Sequence, residues 1–220
     1  MKKILIFIGP PGSGKGTQAK LLANKFQYKH ISTGDLFRAL ATDNNASEKE
    51  KQALEEMKAG KLVSDWLVYN LAFREIQKNL VAGVGVVLDG AIRNLKQAQE
   101  FQKFFTENNW ENEVQVIEVS LSDEDAFNRL TKRRICAKCG EIIPYLPATK
   151  DLLVCPKCSG ELVFRQDDNE EIIKKRIEDQ GNTSLYPILD YYKNLNILDS
   201  IDGNQTIEFV EKQIENIVKK

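Results

Sequence analysis

The run Gly9-Pro10-Pro11-Gly12-Ser13-Gly14-Lys15-Gly16-Thr17 constrains this chain more than any other stretch. It follows a short apolar segment, Lys3 to Gly9, and precedes Ala19, Leu22, Ala23 and Phe26, which repeat at helical spacing. A strand, a glycine-rich turn and a helix in that order are the context of a phosphate-binding loop. Glycines let successive backbone N–H groups turn inward around a polyphosphate, and the helix N-terminus adds its partial positive charge. Lys15 then reaches toward the β- and γ-phosphates, with Thr17 close to a magnesium ion. The usual order sets Ser or Thr directly after the lysine; here Gly16 intervenes. The plain alternative is a strand-to-helix turn whose lysine is merely solvated, and the context favours a nucleoside triphosphate site.

Further apolar runs read as buried parallel strands: Val84 to Leu88 ending in Asp89-Gly90, Val114 to Val119, and Ile197 to Ile201. Helical patterns lie between them, in Leu67, Leu71 and Ile76 and in Ala98, Phe101 and Phe105. Ser122, three residues before Asp125, reads as the cap of another helix. Strands alternating with helices predict an α/β fold, a parallel sheet flanked by helices. Two stretches break the rhythm and read as inserted units. One, Ser32 to Val63, is polar and mostly helical. The other, Ile135 to Phe164, holds every cysteine together with Pro144, Pro147 and Pro156. Asp89, at the end of a buried strand, is placed either to organise magnesium or simply to turn the chain before Gly90.

With 220 residues, 42% hydrophobic and 29% charged, the composition argues against disorder and coiled coil. A net charge of −1 supplies no field for nucleic acid or anionic lipid. No apolar run approaches the ~18–20 residues of a membrane span. The start has the charge of a signal peptide but too short an apolar stretch, so a cytoplasmic protein is expected. In that compartment Cys136-x-x-Cys139 and Cys155-x-x-Cys158 read first as a structural zinc ribbon, four thiolates closing the metal's coordination. Two disulfides or redox-active pairs are the alternatives.

Beyond these motifs the chain resembles adenylate kinase, in the long form whose lid carries a zinc ribbon. The loop Gly-x-Pro-Gly-x-Gly-Lys-Gly-Thr is that family's own variant and accounts for Gly16. Ile31-Ser32-Thr33-Gly34-Asp35-Leu36-Phe37-Arg38 resembles the opening of its monophosphate-binding unit, and Gly60-Lys61-Leu62-Val63 its close. Asp89-Gly90-x-x-Arg93-x-x-x-Gln97 is similar to its strand-end motif, with Ala91-Ile92 where Phe-Pro is usual and Asn94 where Thr is usual. Ile142-Ile143 stands where a Tyr-His pair is common. The resemblance implies reversible transfer of the γ-phosphoryl of MgATP to AMP, giving two ADP.

It further implies that Gly12, Ser13, Gly14, Lys15, Gly16, Thr17, Arg129, Arg133 and Gln205 hold ATP. Thr33, Arg38, Lys61, Val63, Gly90, Arg93, Gln97, Arg165 and Arg176 would hold AMP, and Asp89 magnesium through water. Lys15, Arg93, Arg129, Arg165 and Arg176 would be catalytic, and Cys136, Cys139, Cys155 and Cys158 would bind zinc. The division expected is a core of 1–31, 64–131 and 168–220, a monophosphate-binding unit of 32–63 and a lid of 132–167.

These residue types suit the reaction. Phosphoryl transfer between nucleotides crowds negative charge and needs little covalent help, so positioning and neutralisation dominate. Arginine's planar fork binds phosphate oxygens in pairs. The acceptor phosphate is already anionic, so no general base is required, and the single histidine, His30, just before a short strand, is read as structural or surface. Another nucleoside monophosphate is the acceptor alternative. A nucleic-acid-binding regulator is the rival of a different class, disfavoured by the near-neutral ribbon. A monomer, with no nucleic-acid or membrane partner, is the family expectation.

Overall fold

Alternation along the first strand builds the architecture. In β1 (Ile4–Ile8) all five residues are buried, so the strand is covered on both faces. Ile4, Ile6 and Ile8 point into one apolar cluster; Leu5 and Phe7 point into another. The same switch occurs in β3 (Val86–Asp89), where Val86 and Leu88 face one way and Val87 the other. The outcome is a sheet between two helical layers, as described by a computed structural model covering residues 1–58, 64–145, 149–164 and 169–219.

The sheet order is β2-β3-β1-β4-β8, with β2 (Lys29–Ser32), β4 (Val114–Ser120) and β8 (Leu198–Asp202), and every pairing is parallel. One face is covered by α4 (Asp65–Val81), α5 (Leu95–Glu107) and α8 (Asn182–Asn194), through residues such as Ile76, Phe101, Phe105 and Tyr192. Burying an aromatic of that size contributes roughly 1.5–3 kcal/mol. The other face is covered by α1 (Lys15–Phe26) and α9 (Ile207–Val218), through Leu22, Val210 and Ile214. The α/β sheet expected from the sequence is the one observed. Strand ends shift by a residue or two, because the hydrogen-bonded ladder does not follow the apolar run to its last member.

Two excursions leave the sheet. After β2, α2 (Thr33–Ala41) and α3 (Glu48–Lys58) form a small helical unit whose Leu40 and Leu54 pack on Leu67 and Leu71 of α4. Ser32 caps α2, its Oγ accepting from the Asp35 N–H at 3.1 Å. After α6 (Asp123–Lys132), capped by Ser122 as its sequence implies, β5 (Arg134–Cys136) pairs antiparallel with β6 (Ile142–Ile143) and β7 (Leu162–Phe164). The chain returns through α7 (Glu170–Gln180). Because the main sheet is parallel, its strands end on one edge, and the ligand site of such sheets lies beyond that edge.

Candidate active site

The phosphate loop turns from the end of β1 into α1. Gly14, with φ 93°, occupies the left-handed conformation that starts the helix, and Lys15 is its first residue. Gly16 lies against the strand-end carboxylate: a Cβ there would come within 2.9 Å of Asp89 Oδ2. A side chain at this position would push the Asp89 carboxylate aside.

Lys15 Nζ donates to the Pro10 carbonyl at 3.2 Å. Burial pushes its ammonium down to about 8; Asp89 opposes the shift, while the cations of Arg176, Arg93 and Arg133 reinforce it. Residues from α1, the turn after β3, the end of α6 and α7 thus lie close enough around the strand ends to act on the Lys15 charge. Arg93 is held in this group, its Nη2 donating to Thr33 Oγ1 at 3.2 Å and its Nε to the Gly90 carbonyl at 3.3 Å. Surrounding protein and the Arg176 cation lower its pKa, with Asp89 opposing. Thr33 is buried, and its Oγ1 lies 3.1 Å from the Gly90 carbonyl.

Arg129 stands on another wall. Its guanidinium donates to Gly203 O at 3.0 Å and to Asn204 Oδ1 at 2.9 Å, in the turn after β8. It lines a slot of about 80 Å³ together with Gly12, Gly14, Thr17, Tyr145 and Gln205. Gln205 is exposed and its amide donates to Asp202 at 2.9 Å. A larger hollow of about 710 Å³ runs along the outer face of α4 from Trp66 to Val81 and includes neither Lys15 nor any of these arginines. Arg38 pairs with Asp35 on its own helix, its side chain 71% exposed. Lys61, Val63 and Arg165 lie outside the described residues.

Two residues carry more than their sequence suggests. His30 lies within β2 rather than before it, and its ring is half-buried between carboxylates. Its Nε2 is 3.7 Å from Asp89 Oδ2 and its Nδ1 is 3.9 Å from Asp35 Oδ2. Only the pairing of β2 with β3, which sets Ser32 opposite Asp89, reveals this neighbour. Asp65, at the start of α4, receives the Gln97 amide at 2.8 Å. No local signal in the sequence points to that contact.

In the small sheet the four cysteine sulfurs lie within 4.8 Å of one another, and no disulfide joins them. Cys136 and Cys158 are 3.4 Å apart and Cys139 and Cys155 are 3.7 Å apart. A tetrahedral zinc with bonds of ~2.3 Å sets sulfurs at ~3.8 Å, so this donor set fits the ion. The two halves turn alike: Gly140 N–H donates to the Cys136 carbonyl, and Ser159 N–H to the Cys155 carbonyl, both at 2.9 Å. The Cys139 N–H points at Cys136 Sγ and holds that thiol below its ordinary range. Lys157, within the second cysteine pair, forms an ion pair with Glu141 at 3.2 Å.

Comparison with known proteins agrees with this geometry. The family model for adenylate kinase matches residues 7–197. The chain is 38% identical to an adenylate kinase of Rickettsia bellii, over 98% of this chain and 99% of the relative. It is 39% identical to one of Archaeoglobus fulgidus over 98% of both chains. To one of Clostridium acetobutylicum it is 38% identical over 97% of this chain and 98% of the relative. With likeness over nearly its whole length, the chain belongs to the adenylate kinase family, nucleoside monophosphate kinases that move a phosphoryl group between nucleotides.

Proposed function

We propose that MgATP and AMP meet tail to tail in one cleft at the strand ends and that the γ-phosphoryl passes directly between them. An oxygen of the AMP phosphate attacks Pγ, the bond from Pγ to the bridging oxygen breaks, and two ADP result. The observation that carries the reading is the convergence of Lys15, Arg93, Arg133 and Arg176 beside Asp89. Four cations held together cost free energy in the free protein, and a polyphosphate relieves that cost.

On this reading Gly12, Ser13, Gly14, Lys15, Gly16 and Thr17 cradle the donor phosphates through backbone N–H groups. Arg129, Arg133 and Gln205 border the rest of ATP, the slot at Arg129 receiving its base. Thr33, Arg38, Lys61, Val63, Gly90, Arg93, Gln97, Arg165 and Arg176 bind AMP. Arg93, Arg165 and Arg176 bridge to the transferring group, and Arg38 leaves Asp35 for the acceptor phosphate. Asp89 orders water around magnesium, which neutralises charge on the donor phosphates when bound. The units are a core of 1–31, 64–131 and 168–220, a monophosphate-binding unit of 32–63 and a lid of 132–167. Zinc on Cys136, Cys139, Cys155 and Cys158 stiffens the lid, which excludes water, the competing acceptor. A cytoplasmic monomer is the family expectation; the near-neutral charge supports the lack of nucleic-acid and anionic-lipid partners, and among the described residues no helix is long and apolar enough to cross a membrane.

A coupled assay of ADP formation with AMP, CMP, UMP and GMP tests the reading. AMP should be the preferred acceptor by kcat/KM. ADP formation no faster with AMP than with the others would overturn the acceptor assignment.

A further inference from the structure

We propose that Asp65 fixes which way the Gln97 amide faces, and that this makes the acceptor pocket prefer a 6-aminopurine over a 6-oxopurine. The inference rests on the reading that Gln97 meets the acceptor base.

Gln97 is the third residue of α5 and only 6% exposed. Its Oε1 accepts from the Arg93 backbone N–H at 2.7 Å, and its Nε2 donates to Asp65 Oδ1 at 2.8 Å. The two ends of a side-chain amide have nearly the same shape and exchange by a half-turn. Their partners here do not exchange. A backbone N–H can only donate, and an ionised carboxylate can only accept. A flipped amide would set N–H against N–H and oxygen against carboxylate, with the Gln97 side chain itself buried. Lys96, 3.7 Å from the other oxygen of Asp65, supports the carboxylate.

Fixed in this way, the amide keeps one lone pair on Oε1 and one hydrogen on Nε2, in an invariant order. AMP presents an amino donor at position 6 beside the N1 acceptor; IMP presents an oxygen acceptor beside an N1–H donor, the reverse pattern. The bound orientation therefore complements one and opposes the other. Capping alone does not explain the arrangement. In a capping box the third residue reaches back to the N-cap N–H. Gln97 reaches one residue further, to Arg93, and its other end meets a residue 32 positions away on α4. A cap needs no such partner.

The test compares kcat/KM for AMP and IMP in the wild type, Asp65→Asn and Gln97→Ala, with KM for ATP measured alongside. Asparagine both donates and accepts, so Asp65→Asn releases the amide at that end. The AMP-to-IMP ratio should fall about tenfold, the scale of a hydrogen bond to a charged group, while KM for ATP stays the same. A folded Asp65→Asn with a ratio within about twofold of wild type would overturn the proposal. Should Asp65→Asn not fold, Asp65→Ser is read by the same ratio with the same two outcomes. Gln97→Ala keeps the two readings apart. An unchanged KM for AMP there removes the base contact itself. A raised KM in Gln97→Ala with an unaltered ratio in Asp65→Asn removes only the orienting role.

Discussion

Phe101 and Phe105 are sealed from solvent beneath the central sheet, whereas in the cysteine segment Leu153 is 86% exposed and Phe164 64%. The sheet holds its shape by burying apolar side chains on both faces. The segment from Arg134 to Phe164 has few such side chains to bury, among them Ile143, and draws its sulfurs together instead. If zinc holds these sulfurs, as proposed, its removal should undo one region and spare the other. The glycine-rich loop, anchored on the sheet, belongs to the robust half; the segment proposed to close over the nucleotide belongs to the fragile one. On the proposed reading, positioning of phosphates and exclusion of water fall to different halves.

The largest effect expected tests the robust half. Lys15→Ala should lower the transfer rate about a thousand-fold or more, on the scale of other groups that neutralise transferring phosphate. The sheet should stay folded, since Lys15 belongs to neither apolar cluster. Steady-state rates and a thermal melt check both halves of that statement. Next is the metal. Fresh reduced protein should contain one zinc per chain, and a strong chelator should remove an interaction worth on the order of 10 kcal/mol. Amide exchange should then become fast from Arg134 to Phe164 and stay slow in Ile4–Ile8. Equal loss of protection in both regions would erase the contrast.

A smaller effect comes from deleting the lid. ATP hydrolysis should rise relative to transfer, because water is no longer excluded. An unaltered ratio of the two rates would take that role from the lid. The smallest effect is a proton. In the free protein the Lys15 pKa is lowered from 10.5 to about 8, so burial disfavours its charged form. Its contribution therefore destabilises the free fold below pH 8 and is relieved as pH rises toward 10.5. Triphosphate restores the charge, so ATP binding at pH 8.5 should take up part of a proton, and affinity should fall as pH increases further. Calorimetry in two buffers of different ionisation enthalpy measures the uptake; no uptake would mean that Lys15 is already fully charged.

Much of the sheet is legible in the sequence because its central strands are buried on both faces and so read as continuous apolar runs. β2 is harder to see. As an edge strand of four residues with only Ile31 buried, it has no such run. The phosphate loop and the cysteine pairs are legible because each is a local spacing with a chemical reason. Gly16, His30 and Asp65 are not. Each acquires its meaning from a partner on another element: the Asp89 carboxylate for the first two, and the Gln97 amide for the third. Such contacts between elements are set by sheet register and helix packing, which spacing along one chain does not encode.

If two nucleotides share one cleft, a single molecule carrying an adenosine at each end of a polyphosphate should fill both places at once. Titration should then give one such molecule per chain, displacing both ATP and AMP, with binding lost in Lys15→Ala and in Arg176→Ala alike. Two molecules bound independently, or displacement of one nucleotide without the other, would contradict it.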